Sequence, residues 1–136
     1  MKLLNKIINI FSKYELKPLK FPDGCDNIYT YLTINPDKKP DFISPKTDEY
    51  FIKKYYNHIS DGHYGFSIGT PIIPEWNEIL DEILELCIKT DKSFEIQQIK
   101  LKFGYICFYV QSEVIEDILD IEILIGKNLH DKALIY

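Results

Sequence analysis

Three groups of residues have types and spacings that could do chemistry. The first is "HISDGH", where His58 and His63 stand on either side of Asp61. Two imidazoles and a carboxylate can pass a proton as general acid and base, or hold a divalent metal. Their spacing matches no metal-ligand motif, so structural hydrogen bonds at a helix end and in a turn are the first expectation for both histidines. A small hydrolase or nuclease using His58, Asp61 and His63 stands as an alternative. The second is Cys25 in "DGCDN". Asp23 and Asp26 flank its thiol and oppose formation of the thiolate, which argues against a nucleophile.

The third group is acidic. Between residues 75 and 122 there are twelve Asp and Glu against four Lys, a net of −8 within a chain whose total is −5. Placed on a helix, Glu75, Glu78, Asp81, Glu82 and Glu85 share one face. Further along, Glu113, Glu116, Asp117 and Asp120 form a second set. Like charges at i,i+3 and i,i+4 cost an isolated helix about 0.2–0.5 kcal/mol per pair. The plain expectation is a solvated face that aids solubility. The sharper one is that both sets form a protein-docking surface for a basic partner. Reversing Glu78, Glu82 and Glu85 to lysine should slow association with such a partner without unfolding the domain.

All 16 basic residues are lysine. Arginine provides the planar fork that grips phosphate and guanine in bidentate fashion, so an acidic chain without it is poorly suited to nucleic acid. No nucleotide-binding, zinc-protease or serine-hydrolase signature is present. No catalytic residue, metal or cofactor is therefore assigned. Cys25, Cys87 and Cys107 are unpaired in spacing, which fits free thiols in a reducing compartment. No apolar run is long enough to span a bilayer. The opening "MKLLNKIINIFSKY" reads as an amphipathic helix, since Asn5, Lys6 and Asn9 interrupt it. A cytoplasmic location without membrane attachment is expected.

These groups need a scaffold, and 136 residues suffice for one domain with a core of its own. Helical spacing places Leu3, Leu4, Ile7, Ile8, Ile10 and Phe11 along residues 2–14. Residues 22–48 are rich in proline and turn formers and read as loop. "DEYFIKKYYNHI" reads as a helix through Ile59, capped by Thr47 or Asp48. A short strand is expected around Tyr64, Phe66 and Ile68. Pro74 opens the clearest helix, Pro74 to Lys89, with Trp76, Ile79, Leu80, Ile83, Leu86 and Cys87 on its apolar face.

"FEIQQIKLKFGYICFYV" predicts a hairpin over 94–110 that turns at Gly104. Its apolar parity slips at Gln97–Gln98, as a β-bulge would make it do. Residues 113–125 predict a helix stopped by Gly126 and Lys127, and "KALIY" a last edge strand. The whole is a single α+β domain over 1–136: an antiparallel sheet built on the central hairpin, covered by three to four helices. The ten tyrosines suit both core positions and interfaces, where one end is apolar and the other wet.

"IQQIKLKFGYICFYV", Ile96 to Val110, resembles a "QIKEKFGGLRFYV"-like segment of small bacterial and phage proteins, in which a proline-initiated helix also precedes the hairpin. The likeness extends over residues 64–125. Relatives of that kind add cysteine pairs suggestive of a zinc knuckle, which this chain lacks. It also departs at Tyr105 to Cys107, so neither a metal nor a catalytic residue carries over. In size, acidity and lysine usage the chain resembles bacterial immunity proteins, which neutralise a cognate toxin domain. That resemblance implies a non-catalytic inhibitor whose partner is a basic toxin, such as a nuclease. A phage or mobile-element accessory protein inhibiting a host factor is the other reading.

Overall fold

A parallel pair and a hairpin share one strand. In the computed structural model, which describes residues 2–14, 44–60, 65–68, 74–102 and 105–129, the strands are β1 (Gly65–Ser67), β2 (Glu95–Lys102) and β3 (Tyr105–Gln111). Their order is β1-β2-β3. β2 and β3 are antiparallel, and β1 runs parallel to β2 with Phe66 opposite Ile99. The fold class is the α+β expected, but the sheet is mixed rather than antiparallel. The reason lies in the connection. A seventeen-residue helix, α3 (Pro74–Thr90), separates β1 from β2, and a helical crossover returns the chain in the same direction.

The bulge sits where the parity slipped. Ile96 pairs with Val110 and Gln98 with Tyr109, leaving Gln97 as the extra residue. Phe94, Ile96 and Ile99 thereby all reach the core, each fully buried. Gly104 and the "KALIY" segment, like Cys25, Asp61, His63 and most of the 22–48 loop, lie outside the described residues.

The remaining helices are α1 (Leu3–Ser12), α2 (Asp48–Lys54) and α4 (Ile118–Leu129). α1 buries Leu3, Ile7 and Ile10. Thr47 caps α2 by accepting the Tyr50 N–H at 3.3 Å. Asp48 and Glu49 in its first turn and Lys53 and Lys54 in its last both favour the helix dipole. α2 ends a turn earlier than the expected Ile59. Tyr56–His58 form one 3₁₀ turn, and Ile59 is extended, bridging to Ile96 beside β2. A residue recruited to the sheet cannot stay helical.

α4 also starts later than expected, at Ile118 rather than Glu113. The Ser112 hydroxyl accepts the N–H groups of Val114 and Ile115, at 3.3 and 3.0 Å, and this folds 113–117 into turns. The helix then runs through Gly126 and Lys127, the residues expected to stop it.

α1 packs on α3 and α4, α4 lies against β3, and α2 against β1. One contiguous core results, centred on Trp76, Ile79, Ile83, Phe94 and Ile99. Phe51 of α2 stacks on Phe66 of β1 with centroids 5.0 Å apart. Two polar bolts complete the frame. Asp48 accepts the Ile68 N–H at 2.9 Å. Asp91, at the end of α3, accepts from both the N–H and hydroxyl of Ser93 and from the Ser112 hydroxyl.

Candidate protein-binding surface

The α3 acids do not form the free ridge that a helical wheel implies. α3 is covered on two sides, so its buried arc includes Asn77, Asp81 and Leu84 as well as the apolar face. Asp81 is only 3% exposed. Its carboxylate accepts from Lys46 at 3.0 Å, Lys54 at 3.0 Å, Tyr50 at 2.9 Å and Tyr55. Burial alone would raise its pKa. The hydrogen bonds from Tyr55, Lys46, Lys54 and Tyr50 outweigh that and hold the carboxyl below its ordinary value.

The neighbouring acids are engaged too. Glu78 pairs with Lys46 at 2.6 Å, Glu82 with Lys13 at 2.7 Å and with the Tyr14 hydroxyl, and Glu85 with Lys54. The Glu82 contact pushes the Tyr14 phenol up to about 12. Glu75 is half-buried and has one carboxylate oxygen shielded from solvent. Glu78, Asp81, Glu82 and Glu85 thus meet three lysines from the N-terminal part of the chain, and most of the ridge's charge is offset within the domain. This corrects the expectation for Asp81: it is an internal anchor, closed to a partner. Reversal of Glu78, Glu82 and Glu85 would break these intramolecular pairs, each partly exposed and worth about 0–1 kcal/mol.

A groove of about 600 Å³ runs between α1 and α3 beside this network, with Lys6, Lys13, Lys89, Glu82, Glu85 and Leu86 in its walls. Charges of both signs alternate there, and no single ligand charge is favoured.

The second acidic set is different. Glu113, Glu116 and Asp120 are exposed and Asp117 is half-buried. Among the described residues no lysine forms an ion pair with any of them; the pairs formed involve Glu78, Asp81, Glu82 and Glu85. From Gln111 to Leu129 there are five acids against Lys127 alone. Burial raises the pKa of the fifth, Glu122. Glu116, Asp117 and Asp120 edge a shallow groove of about 300 Å³ that also reaches Lys2, Leu3 and Val114, three acids against one lysine. Glu113 and Glu95 edge another of about 230 Å³ with Gln111 and Ser112.

Apolar side chains stand beside these acids. Val114, Leu119 and Ile123 are 59%, 66% and 51% exposed. On α4, Ile121 and Ile125 face the core while Leu119 and Ile123 point to the opposite side. A signal for this was present in the sequence: α4 is apolar nearly all round, more than one buried face requires.

The remaining candidates are quickly placed. His58 has Nδ1 3.1 Å from the Phe94 carbonyl oxygen, the structural hydrogen bond expected of it. Asp61 and His63 lie outside the described residues, as does Cys25. Among the described residues no group of three His, Cys, Asp or Glu is arranged to hold a metal. Cys87 is fully buried and Cys107 half-buried. Tyr50 and Tyr55 turn inward to Asp81, whereas Tyr56 is exposed. No described helix is long and apolar enough to cross a membrane.

Comparisons with protein-family models, curated proteins and solved structures found no match.

Proposed function

We propose that this chain is a non-catalytic binding protein of the immunity type, acting in the cytoplasm to occlude a basic protein partner such as a toxin domain. One observation carries the reading: among the described residues Glu113, Glu116, Asp117 and Asp120 form no ion pair and stand beside exposed apolar side chains, while Glu78, Asp81, Glu82 and Glu85 of α3 are paired with Lys13, Lys46 and Lys54. Unmatched charge of one sign steers a partner of the other sign and accelerates encounter. Exposed apolar area beside it supplies the affinity that charge alone does not. The acidic sign and the lack of arginine turn the surface away from nucleic acid.

The test is capture of partners by the full chain from its source cell at low and high salt, followed by kinetics with the purified partner. A stoichiometric basic protein is expected. Glu113→Lys, Glu116→Lys and Asp120→Lys together should slow association at least about tenfold at low salt and leave the unfolding midpoint nearly unchanged. Absence of any stoichiometric basic partner at either salt overturns the reading.

A further inference from the structure

Resting on that binding-protein reading, we infer that the outer face of α4 is a helix-docking seam, in which Leu119 and Ile123 are the anchors, Gly126 is the crossing point, and the occupant is a partner helix bearing lysine or arginine beside apolar residues. Leu119 and Ile123 are one turn apart, and Gly126 continues the same side at i+3 from Ile123. Among the described residues nothing requires that glycine. Its φ is not positive, and a Cβ built on it meets no atom within 4 Å. A glycine in the interior of a helix weakens it relative to alanine. What it gives here is a flat spot beside two exposed aliphatic side chains, where another backbone can come close.

Charge selects the occupant. Asp120 borders the seam within α4, and Glu113 and Glu116 lie in the turns that lead into it. A second copy would bring five acids against five across a self-complementary contact, with Lys127 on α4 and, among the described residues beside Glu116, Asp117 and Asp120, Lys2 as the offsetting cations. An anionic membrane surface would repel the same acids. A helix with flanking cations satisfies both parts of the surface, its apolar face on Leu119 and Ile123 and its charges toward the acids.

The experiment places a photo-reactive amino acid in the full chain at position 123, and in a second chain at position 56, where Tyr56 is 72% exposed. Both are irradiated in the source cell. The expected result is one discrete adduct from position 123, absent from position 56, whose cross-linked peptide lies in a partner helix carrying basic residues. With that partner purified, Leu119→Ser combined with Ile123→Ser should weaken affinity at least about tenfold, mainly through faster dissociation. Gly126→Ala should raise the melting temperature by about 3 °C yet weaken binding, an opposition that a purely structural glycine would not produce.

An adduct from position 56 alone, or a partner whose affinity ignores Leu119→Ser with Ile123→Ser, overturns the seam and leaves the binding-protein reading standing. A cross-link to the chain itself, to a second copy or to lipid, or no cross-link at all, also overturns it. Failure of the wider reading shows separately, as the absence of a basic partner in the salt-dependent capture.

Discussion

The Tyr55 hydroxyl donates to Asp81, reaching both its carboxylate and, at 3.1 Å, its backbone carbonyl. Tyr50 approaches the same carboxylate from α2, so one short helix delivers two phenols and Lys54 to a single buried anion. Around it, α2 and α3 are joined by hydrogen bonds and ion pairs. Tyr55→Phe should lower folding stability by about 1–3 kcal/mol, because a buried acceptor loses its donor. Asp81→Ala should cost about 1–3 kcal/mol, since the buried Tyr55 hydroxyl loses its carboxylate partner while Lys46 and Lys54 keep Glu78 and Glu85. Urea unfolding with an unchanged slope checks both. A midpoint that does not move for either variant would show that this cluster contributes nothing to the fold.

The same pairs give acid sensitivity. Asp81 and Glu82, ordinarily at 3.8 and 4.5, are held below those values in the folded chain, their hydrogen-bond partners overcoming burial. The unfolded chain therefore binds protons first as pH falls, and protonation pulls toward unfolding. Stability from these groups is full above the ordinary values and is lost as pH drops through the lowered ones. Glu122, raised by burial, works in the opposite sense. The urea midpoint should hold from neutrality to about pH 5 and then fall steadily toward pH 3. A flat profile across that range would contradict the pairing.

Gly65 sits at φ +72°, and a Cβ there would meet Ile59 Cδ1 at 3.0 Å. Gly65→Ala should destabilise the domain by about 1–2 kcal/mol from backbone strain alone. The contrast with Gly126→Ala, which should stabilise, makes the pair an internal control. Thermal melts of the two variants under one set of conditions read it directly.

Cys87 is fully buried, and burial pushes its thiol up to about 12. It should resist alkylation in the folded protein at neutral pH and react only on unfolding. Cys107, half-buried on β3, should react before it. Mass mapping of labelled peptides over time distinguishes the two, and simultaneous labelling would mean that the α3 core opens easily.

How much of this was legible depended on the range of the interaction. Gln97 announced itself because a bulge shifts side-chain parity, which is a local signature. Thr47 announced α2 through its capping chemistry. The direction of β1 did not show, because a strand as short as Gly65–Ser67 carries no record of which neighbour it joins. Asp81 was read as solvent-facing because a wheel records angle alone, and α2, from another part of the chain, decides what covers that flank. Glu113 was assigned to a helix because its spacing fits one, while the Ser112 hydroxyl holds the backbone in a turn. Of the acids singled out, the unpaired set and the paired set are indistinguishable until the lysines have positions.

The parallel pairing of Gly65 with Gln98 spans 33 residues, whereas β2 and β3 meet across a tight connection. Chain closure over the longer span costs more entropy, and its reward arrives only after α3 has formed and turned the chain back. The hairpin and α3 can therefore assemble first, with β1 docking late onto a surface already made. A three-residue strand holding so late a place is the natural weak seam of the molecule, the part to open first under stress and the last to close.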